Sequence, residues 1–152
     1  MSSKVITSGL FIFRKDKKFL VCHPTNHKEN FFSIPKGKVE EDEIFLECAI
    51  RETYEETNLD LKSCLDFDIY YLGTKDYKNK KKRLYPFLLL EKDDSQFDWN
   101  SIELKCNSMV VKQKIIFPEM DGYKWITIKE AKNILHETQV SCLIEINEII
   151  NN

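Results

Sequence analysis

Residues 37–59 read GKVEEDEIFLECAIRETYEETNL, and this stretch constrains the fold more than any other. Leu46, Ala49, Ile50 and Thr53 recur at helical spacing, which predicts a helix over residues 43–57. At about 100° per residue these four positions share one arc, while Glu52, Glu55 and Glu56 share another. One side of the helix then faces a core and the other carries three carboxylates. Glu52 and Glu56 form a like-charge i,i+4 pair, which costs roughly a few tenths of a kcal/mol. All three acids also lie toward the helix C-terminus, where the macrodipole disfavours negative charge. A solvated face usually interleaves lysine, and here only Arg51 offers relief. The pattern makes sense if a cation binds, and hard oxygen ligands at i, i+3 and i+4 suit Mg²⁺ or Mn²⁺. On these three residues alone, a plain acidic surface helix is the competing interpretation.

The rest of the chain can supply the core that such a helix needs. It has 152 residues, the length of one domain, and is 42% hydrophobic and 12% aromatic. A formal net charge of -2 argues against a generally basic nucleic-acid binder, without excluding local patches. No apolar run is long enough to span a bilayer. The opening MSSKVITSGLFIFRKDKKF lacks the uninterrupted apolar run and cleavage site of a signal peptide. Cys22, Cys48, Cys64, Cys106 and Cys142 are odd in number, widely spaced and form no CxxC pair, so reduced thiols in a cytoplasmic protein are expected. His23, His27 and His136 do not stand at zinc-ligand spacing with them.

Along the chain, VITSGLFIFR (5–14) and FLVCH (19–23) read as a hairpin across the turn KDKK. FFSI (31–34) reads as a short strand entering a PKG turn. DFDIYYLG (66–73) and RLYPFLLLE (83–91) read as strands joined by the basic loop TKDYKNKKK. SMVVKQ has strand character and YKWITI is a late strand. Thr127 and Glu130 make a T-x-x-E capping box, so a helix starts there. A last helix begins near Thr138 and runs almost to the end, with Val140, Leu143, Ile144, Ile146 and Ile150 as its apolar stripe. This order predicts an α+β fold: an α/β/α sandwich with a mixed sheet flanked by helices.

The stretch at 37–59 resembles the Nudix box, G-x5-E-x7-R-E-U-x-E-E-x-G-U, with U apolar. Gly37, Glu43, Arg51, Glu52, Glu55 and Glu56 match it, and Leu59 closes it. Asn58 stands where the family has glycine. Asn is the next most tolerant residue of the left-handed conformation that ends such a helix, so Asn58→Gly is expected to be tolerated. Thr53 replaces an aliphatic residue and can still pack. SGLFIFR, FLVCHP, FFSIPKGK and FPEMDGYKWITIKEAKNIL are similar to the flanking strands and late helix of small Nudix hydrolases. PKG and PEMD with the following tryptophan look most like nucleoside polyphosphate pyrophosphohydrolases. PKGK and CAIRETYEETNLDL also resemble the messenger-RNA decapping branch.

The resemblance implies one Nudix domain over residues 1–152 that hydrolyses a pyrophosphate bond in a nucleoside diphosphate-linked substrate. It implies a divalent cofactor, Mg²⁺ or Mn²⁺, held by Glu52, Glu55 and Glu56 with help from a backbone carbonyl near Lys36 and Gly37. Glu52 is alternatively the general base, acting through a water in place of ligating the cation, and Glu119 is the second candidate for that role. Arg51 would orient Glu52 or Glu55, and Glu43 would tie the loop to the helix start. Lys36, Lys38, Lys80 and Arg83 are the expected phosphate contacts, although the basic run 78–83 also reads as a solvated hairpin tip. Phe31, Phe32, Tyr85 and Trp125 are candidates to stack a base, and His23 reads as a strand-end residue. The expected partner is a small-molecule nucleotide such as a dinucleoside polyphosphate or a nucleoside triphosphate, with no membrane partner. RNA decapping is the second enzyme reading. A non-catalytic nucleotide-binding module is the third, and the intact set of carboxylates counts against it.

Overall fold

The apolar run near the start of the chain becomes the central strand. In the computed structural model, which describes residues 4–61 and 63–152, β1 (Val5–Phe13) runs parallel to β6 (Lys82–Glu91) along its whole length. β4 (Phe67–Tyr71) and β5 (Lys75–Asp76) pair antiparallel with β6. On the other side of β1 lie β3 (Lys36–Lys38) and β2 (Phe19–Pro24), and β9 (Met120–Ile126) pairs with β2. The sheet order is β4-β6-β1-β2-β9, with β3 on β1 and β5 on β6. β7 (Met109–Lys112) and β8 (Ile115–Pro118) form a separate two-stranded hairpin.

Side chains alternate across a strand, and β1 is apolar on both faces, so both must be covered. Phe11 and Phe13 pack with the C-terminal helices α2 (Ile128–Ala131), α3 (Glu137–Val140) and α4 (Leu143–Ile150). Leu10 and Ile12 pack on the opposite face, against Ala49 of α1 (Phe45–Thr57) and against Leu59, Leu61 and Phe67. Full burial of each such side chain is worth roughly 2 kcal/mol. The result is the expected α/β/α sandwich around a mixed sheet.

β1 and β2 stay paired only near their turn, at Phe13 and Phe19. Where they diverge, the segment 33–38 enters between them. Cys22 N donates to Ser33 O at 2.7 Å and Leu10 N donates to Pro35 O at 3.1 Å. Gly9 permits the approach, because a Cβ there would lie 2.7 Å from Lys36 Cβ and 2.8 Å from Pro35 O. Buried Gln139 of α3 holds the same segment, accepting from Ile34 N and donating to Ser33 Oγ, both at 3.0 Å. Lys36 and Gly37 are thereby fixed over α1.

Several elements differ from expectation. FFSI forms two isolated bridges, Phe32 with Leu135 and Cys22 with Ser33, in place of a strand. The expected PKG turn supplies β3, because the gap beside β1 offers it a partner. α1 starts at Phe45, since Glu43 is held outside it by Arg51 and by the Glu40 amide. The Thr127–Glu130 capping box is present, but its helix ends at Ala131. The last helix is broken at Ser141 and Cys142, where Ser141 Oγ donates to Thr138 O at 2.6 Å and the turn tightens. Ile144, expected in the apolar stripe, is 75% exposed, while Ile149 takes a place beside the core. Residues 1–3 of the segment screened for a leader lie outside the described residues. Among the described residues, no helix is long and apolar enough to cross a membrane.

Candidate active site

The acidic arc of α1 does not face open solvent. It lies under β3, so Glu56 is fully buried and Glu52 is 9% exposed, while Glu55 is half-buried. Gly37 makes this possible, because a Cβ there would fall inside the Glu52 carboxylate. Thr53 and Ala49, on the other arc, are fully buried toward the core, as expected.

Arg51 organises the rim. Its guanidinium grips Glu43 with two parallel hydrogen bonds, Nε at 2.7 Å and Nη2 at 3.0 Å. Nη1 donates to Glu52 Oε1 at 2.9 Å and to Glu55 Oε1 at 3.0 Å, and Nη2 donates to Lys38 O at 3.1 Å. The Arg51 charge and hydrogen bonds hold the Glu43 carboxyl down at about 2. Glu43 also accepts from the Glu40 amide at 3.0 Å, which ties the loop to the helix start.

Deeper in the site, electrostatics reverse. Burial, then the neighbouring Glu55 charge, push the Glu52 carboxyl up to about 7 despite Arg51. Burial pushes Glu56 well above the carboxylate range, with Glu119 and Glu52 adding repulsion. Glu56 Oε1 accepts weakly from the Lys36 amide at 3.3 Å, and its Oε2 is buried with no partner among the described residues. Glu119, at the β8–β9 junction, accepts from Ser108 Oγ at 2.9 Å. Acids from two distant parts of the chain therefore share one buried corner.

A divalent cation fits this donor set. The hard oxygens are present, the mutual repulsion is what a cation would relieve, and the orphaned Glu56 oxygen is an unused acceptor. Among the described residues, no three His, Cys, Asp or Glu side chains already converge at coordination distance, in keeping with the grip of Arg51 on Glu52 and Glu55.

Next to this corner opens a cleft of about 670 Å³, and Glu119 lines both. Its walls include His27, Phe31, Lys36, Tyr77, Lys82 and His136. His27 and Phe31 stack at 5.4 Å on one side, and Tyr77 and His136 meet at 5.0 Å.

The expected site residues divide accordingly. Gly37, Arg51, Glu52, Glu55 and Glu119 line the acidic corner, with Glu56 buried beneath, and Lys38 is on its rim. Lys36 lines the cleft. Lys80 and Arg83 do not: Arg83 pairs with Asp76 at 2.7 Å, and Lys80 lies in the hairpin turn. Lys82, Asn79 and Tyr77 line the cleft from that hairpin instead. Of the aromatic candidates, Phe31 lines the cleft and Phe32 is core. Tyr85 stacks on Phe45 at 3.9 Å, and Trp125 lies under Arg14 at 4.4 Å. His23, at the end of β2, bonds Asp121 Oδ1 at 2.5 Å and Lys28 O at 2.8 Å.

Of the cations in the basic run 78–83 it is Lys82 that lines the cleft, and the sequence reading missed Ser108, Asn107 and Gln139. None stands in a spaced pattern, and only the three-dimensional path of residues 92–118 brings the first two to α1. The five cysteines are free thiols.

Comparison with known proteins agrees with the fold and the box. The family model described as NUDIX domain matches residues 4–144. An RNA pyrophosphohydrolase of Pelagibacter ubique is 22% identical, over 92% of this chain and 87% of that protein. The mRNA decapping complex subunit 2 of Schizosaccharomyces pombe is 30% identical over 72% of this chain, but that match covers 17% of the yeast protein. A crystal structure of a C. elegans Ap4A hydrolase superposes with a TM-score of 0.66 at 22% identity, covering 97% of this chain and 99% of that one.

Proposed function

The chain belongs to the Nudix family and is a pyrophosphohydrolase, and from that membership we propose that it is one divalent-metal-dependent domain acting on a soluble nucleoside polyphosphate. The observation that carries the proposal is the buried, unpartnered oxygen of Glu56, set among acids beside a cleft that holds cationic side chains.

Glu52, Glu55 and Glu56, with the Gly37 carbonyl, would hold Mg²⁺ or Mn²⁺. When bound, such an ion neutralises phosphoryl charge and lowers the pKa of a water. The chain's own groups supply the rest. Lys36 and Lys82 balance phosphate charge along the cleft, and the ring pairs at its walls offer flat faces to a base. Glu119 would take the proton of the attacking water, or Glu52 would do so in place of ligating the cation, as the water oxygen bonds to phosphorus and the P–O bond to the leaving phosphate breaks. Arg51 keeps Glu52 and Glu55 oriented through the network it shares with Glu43. The free thiols suit a reducing, cytoplasmic compartment.

An RNA 5′ end is the second reading, favoured by the match to the decapping subunit and by the basic hairpin at 75–83. A panel of dinucleoside polyphosphates, nucleoside triphosphates, 5′-triphosphate RNA and capped RNA separates the two. Fastest turnover on a small nucleotide supports the proposal. Turnover confined to RNA, falling steeply with salt, contradicts it.

A further inference from the structure

The residue that ends α1 also fastens a distant part of the chain. Asn58 is left-handed at φ 68°, and its backbone N–H closes the helix on Tyr54 O at 2.9 Å. Glycine would make this turn with less strain, so the side chain needs its own explanation. Its Nδ2 donates to Glu103 O and its Oδ1 accepts from Asn107 Nδ2, both at 3.0 Å. Asn107 Nδ2 also donates to Tyr54 O at 3.1 Å, and the Asn107 amide donates to Glu55 O at 2.6 Å. Lys105 N donates to Thr57 O at 3.2 Å. Glu55 O and Thr57 O are last-turn carbonyls that the helix does not satisfy by itself, and Tyr54 O, already accepting from the Asn58 amide, takes a second bond. The segment 103–107 is therefore bound along the end of the helix that carries Glu52, Glu55 and Glu56.

The next residue is Ser108. Its Oγ donates to Glu119 Oε1 and its carbonyl accepts from Glu119 N, both at 2.9 Å. Glu119 faces like charges on α1 and would otherwise gain by swinging toward water. Its backbone is held from two sides: besides the bond to Ser108, Glu119 O accepts from Thr25 N, just past β2, at 3.0 Å, and Met120 beside it pairs with Pro24. The carboxylate itself is tied through Ser108 Oγ, at the end of the run Asn58–Asn107–Ser108–Glu119.

We propose that Asn58 and Asn107 form a clasp that positions Glu119 against the carboxylates of α1, making both of them positioning residues for hydrolysis. This rests on the reading of Glu119 as a working carboxylate of the site. The clasp also sets how closely an acid from outside the helix approaches the cation-binding corner.

The test compares the full chain with Asn58→Gly, Asn107→Ala and the double variant. Asn58→Gly keeps the left-handed turn and removes only the side chain. If the side chain serves only to stabilise the helix end, the metal-free melting temperature falls while kcat and Mn²⁺ affinity stay at wild-type values, and the clasp is overturned. The expected result is that either single variant lowers kcat about tenfold with KM within about twofold, and weakens Mn²⁺ binding, read by electron paramagnetic resonance, by about tenfold, as for other residues that orient metal-site groups. The double variant should lose less than the sum of the two singles, because the Asn58–Asn107 bond is shared while each residue also has a bond of its own, to Glu103 O and Tyr54 O, and fully additive losses would contradict that. Glu119→Gln distinguishes the two levels. Full turnover in Glu119→Gln overturns the role of Glu119 and the clasp with it. An inactive Glu119→Gln beside fully active Asn58→Gly and Asn107→Ala, with Mn²⁺ affinity unchanged, overturns the clasp alone.

Discussion

Glu52 occupies the space that any side chain at Gly37 would take. The overlap is with the far end of a flexible side chain, so Gly37→Ala should fold, with Glu52 pushed aside. Displacing that carboxylate should lower kcat at least tenfold, on the scale of about 1.4 kcal/mol of lost transition-state stabilisation. Circular dichroism and turnover on the same sample check this. Unchanged kcat would show that the close fit of Gly37 over Glu52 has no bearing on the chemistry.

Glu52→Gln and Glu56→Gln should each lower kcat by at least about a hundredfold, the scale for losing a catalytic charge or acid–base group. Both variants should stay folded without metal, and Glu56→Gln should melt higher than wild type, because an amide spares the fold the cost of burying or protonating an acid beside Glu119 and Glu52. Differential scanning calorimetry in chelator reads the second effect.

Much of this was legible in the sequence, and what was hidden has a physical reason. The apolar run of β1, the period of α1 and the spacing of the box are local signals. So the sandwich and the acids of the helix followed from them. That Glu52 and Glu56 are buried did not follow, because β3 reads as a turn until β1 and β2 diverge and offer it an edge. The side-chain role of Asn58 was hidden for a similar reason. A left-handed turn is predictable from one residue, but its partners Glu103 and Asn107 lie some way along an irregular loop. Charge along the sequence does not show that Arg83 lies outside the cleft lining, beside Asp76.

Glu43 predicts a pH dependence. Its folded-state pKa of about 2 lies below the ordinary 4.5, so the Arg51 pair stabilises the fold fully above pH 4.5. That stabilisation is lost as pH falls from 4.5 toward 2. Glu43→Gln should cost about 1 kcal/mol at pH 7, a modest figure because solvent reaches the pair. The difference from wild type should shrink as the solution approaches the folded-state pKa. A constant difference in denaturant midpoints between neutral pH and that acid limit would contradict the assignment.

The basic hairpin separates the substrate readings. Lys82 lines the cleft, while Lys80 and Lys81 do not. With a small nucleotide, Lys82→Ser should raise KM several-fold at constant kcat, and Lys80→Ser with Lys81→Ser should change neither. With RNA, replacing the Lys80 and Lys81 pair should instead flatten the salt dependence of binding, by about 0.7 in log–log slope for each phosphate left without its lysine.

The central claim is that the acidic corner works through a divalent cation held by Glu56 and its neighbours. The most direct test is the Mg²⁺ dependence of turnover on a dinucleoside polyphosphate, for wild type and Glu56→Gln over the same titration. Wild type should be inactive in excess chelator and saturate with Mg²⁺, while Glu56→Gln should need far more Mg²⁺ and reach a far lower ceiling. Full wild-type turnover in chelator, or superimposable curves for the two proteins, would contradict the claim.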